Sequence, residues 1–73
     1  MKNRKKYFIA SFVTDLYFQD EEAEMFHAES AEAVEQEVRN VLGNHLLSLR
    51  IRKATWRERR RAKKNGYNAC IVH

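Results

Sequence analysis

The sequence predicts an α+β fold: a small antiparallel sheet carrying one packed amphipathic helix, in the order β-β-α-β. A basic helix or hairpin and a short C-terminal strand are expected to follow. Three observations carry this expectation. Residues 7–18 are rich in aromatic and β-branched side chains, residues 31–42 repeat apolar side chains at helical spacing, and residues 45–53 alternate apolar with polar. A helix with one apolar face beside strands of this kind buries that face on the sheet.

In the first strand, residues 7–18, the even positions place Phe8, Ala10, Phe12, Leu16 and Phe18 on one face. Only Thr14 interrupts them, so this is the expected core face. The odd positions, Tyr7, Ile9, Ser11, Val13, Asp15 and Tyr17, make a mixed face. Residues 19–22 are acidic and read as a turn, and residues 23–29 return as a second antiparallel strand with imperfect alternation.

Ser30 then stands as a helix N-cap. Val34, Val38, Val41 and Leu42 fall on one helical face, and Glu32 and Glu35 lie near the positive end of the helix dipole. Gly43 suits the position just past the helix, where a left-handed backbone is easiest without a Cβ. In residues 45–53, Leu47, Leu49 and Ile51 are expected to point inward, with Ser48, Arg50 and Arg52 toward solvent.

Residues 55–73 admit two readings. Thr55-Trp-Arg-Glu58 matches a capping box, Lys63 and Lys64 suit a helix C-terminus, and Gly66 would end it. Asn65-Gly66 is also a strong hairpin signal, with residues 67–72 as the returning strand. The preferred reading is a basic helix over 56–64 followed by a short strand at 67–72. That helix has little apolar face beyond Trp56 and Ala62, so it is expected to be exposed.

Seventy-three residues leave room for one domain, 1–73, with a basic N-terminal arm at 1–6 and a basic segment at 55–66. A chain of this size has a thin stability margin, which self-association or a partner would widen. Cys70 is the only cysteine, so no internal disulfide contributes, and a lone thiol fits a reducing compartment. No apolar run approaches the roughly 20 residues that span a bilayer, and the start of the chain lacks the pattern of a signal peptide. A cytoplasmic protein that does not engage membranes is expected.

Charge is unevenly spread. Residues 7–38 hold nine acidic side chains and no Lys or Arg, whereas residues 39–73 hold ten basic ones against Glu58 alone. The formal net charge of +4 conceals these opposed blocks. They either attract each other within one fold or present separate faces.

Signals for catalysis are weak. There is no Gly-rich phosphate loop, no His-Glu-x-x-His and no nucleophile elbow. A metal site would need His27, His45, Cys70 and His73 to converge, and only the last two are spaced as half of one. The carboxylates Glu21, Glu22 and Glu24 suit a solvated turn. No enzyme activity, metal or cofactor is expected.

The basic segment points to phosphate. Arg57, Arg59, Arg60, Arg61, Lys63 and Lys64 crowd a short stretch, and such density attracts nucleic-acid backbones by releasing condensed counterions. If strand 45–53 pairs with strand 7–18, Arg50 and Arg52 share a solvent face with Tyr7 or Tyr17, with Trp56 just beyond. A sheet face of arginines and aromatics stacks bases and neutralises phosphates. Alternatively, the C-terminal segment or a second copy covers that face. Left bare, Ile9, Val13 and Tyr17 would form a patch of the kind that marks protein contacts, including a homodimer.

Val13-Thr14, Gln19-Asp20, Gly43-Asn44 and the run from Leu46 to Ala54 give the chain a layout that resembles small phage-encoded uracil-DNA glycosylase inhibitors. The likeness covers about residues 7–54, leaves out the basic tail and carries no functional residue across. The layout also resembles a small RNA-binding archaeal protein of the large ribosomal subunit. The first resemblance implies a small phage or prophage accessory protein that acts by occupancy. The basic segment and this resemblance leave a leading expectation and an alternative to it, in that order. One is a non-enzymatic module that binds nucleic acid or a nucleoprotein through Arg50, Arg52 and residues 57–64. The other is a phage-type inhibitor or modulator of a host enzyme that handles DNA or RNA or serves defence.

Overall fold

The computed structural model describes residues 4–16, 20–66 and 68–72. Within them the chain forms β1 (Lys6–Thr14), β2 (Glu22–Ala28), α1 (Ala31–Leu42), a single 3-10 turn (Gly43–His45), β3 (Leu46–Lys53), α2 (Trp56–Lys64) and β4 (Cys70–Ile71). The strands make one sheet in the order β3-β1-β2-β4. β1 pairs antiparallel with β2, as expected, and also with β3, the pairing on which the shared arginine and tyrosine face depends, and β4 adds a parallel pairing on the far edge of β2.

This order explains where the helices lie. β2, β3 and β4 all run in one direction, so α1 carries the chain across the sheet from β2 to β3, and α2 carries it back from β3 to β4. Crossovers of one hand that travel in opposite directions must lie on opposite faces. α1 covers the face of Phe8, Ala10, Phe26 and Ala28, contributing Val34 and Val38, with Val72 closing the cluster. α2 lies over the face of Tyr7, Ile9, Met25 and His27.

α1 is held as its sequence predicts. Ser30 is extended, and its hydroxyl accepts the Ala33 N–H at 3.1 Å. Gly43 ends the helix at φ 56°, in the left-handed range, while its N–H donates to the Arg39 carbonyl. Val34, Val38 and the partly buried Leu42 face the sheet. Val41 does not, being 71% exposed in the last turn. Angular position alone cannot bury a side chain once the helix runs past the core it covers.

Two expectations in the strands are corrected. β1 ends at Thr14, short of residue 18, because Asp15 turns to the start of β3. The Asp15 N–H donates to the His45 carbonyl at 3.0 Å, and the two side chains meet at 2.8 Å between Nδ1 and Oδ1. Leu16 is consequently exposed, while Tyr17, Phe18 and Gln19 lie outside the described residues. In β3 the inward residue is Leu46 in place of Leu47. Phe12 pairs with Leu49 and Val13 with Ser48, but Thr14 pairs with Leu46, so a bulge at Val13/Thr14 skips Leu47. The extra residue flips the alternation, leaving Leu47 52% exposed and packing Leu46 against the core.

The C-terminal segment takes the helical reading over the hairpin. The strand expected over 67–72 is confined to Cys70–Ile71. It is fixed by a bond from the Val72 N–H to the His27 carbonyl at 3.0 Å, and Tyr67 and His73 lie outside the described residues. Among the described residues no helix is long and apolar enough to cross a membrane.

Candidate nucleic-acid interface

The site is built from the start of α2. Thr55 and Glu58 cap each other: the Glu58 N–H donates to the Thr55 hydroxyl at 3.1 Å, and the Thr55 N–H donates to Glu58 Oε1 at 2.8 Å. This satisfies two helix-end donors reciprocally. Arg52 of β3 also grips both Glu58 oxygens, Nη1 to Oε1 at 2.7 Å and Nη2 to Oε2 at 2.6 Å. A two-pronged guanidinium–carboxylate pair fixes direction as well as distance. The Ala54 N–H adds a bond to the Tyr7 carbonyl at 2.9 Å. The helix is thus fastened at its N-terminus, while among the described residues none of its own side chains is buried.

The Arg52 guanidinium, aided by the Thr55 N–H, lowers the Glu58 carboxyl from 4.5 to about 2. Folded Glu58 therefore releases its proton more readily than unfolded Glu58. Its contribution to stability is complete above about pH 4.5 and is lost as pH falls toward 2. Acid titration across that range is expected to loosen α2 first, read as a change in Trp56 emission that precedes the loss of sheet signal in circular dichroism. Glu58→Gln should start in the loosened state at neutral pH and lose the acid transition. An identical acid transition in the variant would show that this pair does not anchor the helix.

Beneath α2, Tyr7 and His27 are cross-strand partners whose rings stack with centroids 4.3 Å apart and planes 9° from parallel. The Arg59 guanidinium lies over the Tyr7 ring at 5.5 Å, and that of Arg60 over the Trp56 ring at 5.2 Å. With only Ala62 to pack downward, α2 stands off the sheet. An open cleft of about 770 Å³ remains between the helix, the sheet and β4. Its floor is Tyr7, Met25, His27 and Ile71; its roof is Trp56, Arg59, Arg60, Ala62 and Lys63. Among the described residues no carboxylate lines it. A second opening, on the other flank of α2, touches Ile9, Arg52 and Arg61 but is partnered by Glu24 and Glu58.

The structure sorts the basic residues into two groups. Arg50 and Arg52 share the Tyr7 face, across from Ser11 and Ile9 respectively. Both hold carboxylates, Arg50 that of Glu21 and Arg52 that of Glu58. Among the described residues, Arg57, Arg59, Arg60, Arg61, Lys63 and Lys64 form no ion pair. Trp56 projects from the first turn of α2, 60% exposed. Ile9 is half-buried beside α2, and Val13 is half-buried opposite Ser48, outside both openings. Tyr17 lies outside the described residues.

Sequence reasoning missed His27, Met25 and Ile71 as parts of this cleft. The signal for the first two was the pairing register, which sets His27 opposite Tyr7 and Met25 opposite Ile9; Ile71 follows only from the β4 pairing. Cys70 lies on the other face, and burial, reinforced by Glu24 and Glu37, pushes its thiol up. A thiol so held is a poor nucleophile at neutral pH. Among the described residues no three His, Cys, Asp or Glu side chains converge as metal ligands. No family model, curated protein or solved structure matches the chain.

Proposed function

We propose that this chain is a non-enzymatic, cytoplasmic nucleic-acid-binding protein that contacts phosphates through α2. The observation that carries the reading is the set of six cations on that helix, none neutralised by a carboxylate among the described residues. They project from a helix raised above the sheet, while the glutamates of α1 lie on the opposite face. Like-charged side chains on one short helix repel each other, and an anionic polymer relieves that repulsion as it binds. Arg50 and Arg52 have a different part here: Arg52 orients the helix through Glu58, and Arg50 flanks it.

Affinity for labelled oligonucleotides, measured by anisotropy over a range of salt, tests the reading. If five or six phosphates are engaged, log affinity should fall with log salt at a slope of about −4 to −5. Affinity that stays constant from low to moderate salt would remove it. Capture of a host protein that survives nuclease treatment would favour the inhibitor reading instead.

A further inference from the structure

We infer that the cleft beneath α2 receives an unpaired nucleobase, so that the protein prefers single-stranded nucleic acid to duplex; this rests on the nucleic-acid reading above. A helix offering only phosphate contacts would need nothing beneath it. Here three of the cations, Arg59, Arg60 and Lys63, border a hollow of about 770 Å³, within the roughly 300–1,000 Å³ typical of sites for small organic groups. The hollow joins apolar and aromatic surface to a cationic rim with no carboxylate in its lining among the described residues. An unpaired nucleotide has the matching chemistry, a flat ring carried on a phosphate.

The aromatic groups show where the ring would sit. Tyr7 already carries the stacked His27 ring at 4.3 Å and the Arg59 guanidinium at 5.5 Å, so it serves as wall rather than platform. Among the described residues, Trp56 and Ile71 are the large apolar side chains left exposed at the cleft, at 60% and 58%. A base between them would cover both, with its phosphate toward Arg60 and Lys63. Bases in a duplex are already stacked and paired; they offer groove edges, not faces, and could not enter without being flipped out.

The test uses the full chain with a 12-nucleotide oligothymidylate and a 12-base-pair duplex at the same salt. The strand is expected to bind about tenfold more tightly and to quench Trp56 emission, which the duplex leaves unchanged. Trp56→Ala and Ile71→Ala, both at exposed positions, should each weaken strand binding about five- to tenfold. Duplex affinity and its salt slope should not change. Equal affinity for strand and duplex, or equal weakening of both by the variants, overturns the cleft inference while leaving phosphate binding in place. Absence of salt-dependent binding to either ligand overturns both.

Discussion

Replacing Arg59, Arg60 and Arg61 together by glutamate is expected to abolish nucleic-acid binding while leaving the fold intact. At about 1 kcal/mol for each lost charge-assisted contact, removal of the three cations alone weakens binding about a hundredfold. Reversing their sign adds repulsion from the phosphates. The milder triple change to alanine should leave weak binding whose salt slope is shallower by about three. Folding is expected to tolerate both, because none of the three side chains is buried and both replacements are good helix formers. Circular dichroism and thermal melting verify the fold, and anisotropy reads the affinity. Unchanged affinity in the glutamate variant would end the claim that α2 is the contact surface.

The opposite face supplies the control. Glu32 and Glu35 project from α1, across the sheet from α2, and Glu35 already pairs with Arg39 at 2.9 Å. Changing both glutamates to lysine alters net charge by more than the triple arginine-to-alanine change does, and in the other direction. If overall charge governed binding, that variant would gain most. If α2 is the surface, the gain should be small, since charges beyond about 8–10 Å are largely screened at physiological salt.

How much of this was legible in the sequence depends on the range of the interactions involved. The caps of both helices were, because Ser30, Gly43 and the Thr55–Glu58 pair act within four residues of chain. The return of β2 on β1 was also legible, as was the inward face of Phe8, Ala10 and Phe12; that β3 pairs on the other edge of β1 was not, because alternation assigns a face and not a neighbour. The position of β4 was not, because Cys70 meets Phe26 only after the chain has crossed the whole sheet. Once β4 is known to run parallel on the β2 edge, the face occupied by α2 follows from crossover handedness. The cleft could then be anticipated, but not before. The bulge at Leu47 was hidden for a related reason: Leu46 and Leu47 are equally apolar, and only the geometry at Asp15 and His45 decides between them. Likewise, nothing local shows that Arg50 and Arg52 would be claimed by Glu21 and Glu58.

Phe26→Ala is expected to cost a large share of the protein's stability, and it separates the two faces of the sheet. Phe26 is 6% exposed, sits opposite Phe8 and packs in the cluster with Val34, Val38 and Val72. Truncating such a ring typically costs about 3–5 kcal/mol, through lost apolar transfer and the cavity left behind. A chain of this length has only about 4–11 kcal/mol in total. The melting temperature should therefore fall by at least about 12 °C, and the variant is expected to be partly unfolded when warm. Ile9→Ala, on the face under α2, removes a half-buried side chain beside an opening that already exists, and should cost far less. That contrast follows from the architecture: α1 closes one face of the sheet into a core, whereas α2 is pinned at one end and stands off the other. If Ile9→Ala proved as costly as Phe26→Ala, the α2 face would be a second core, and no cleft would be left there for a ligand to enter.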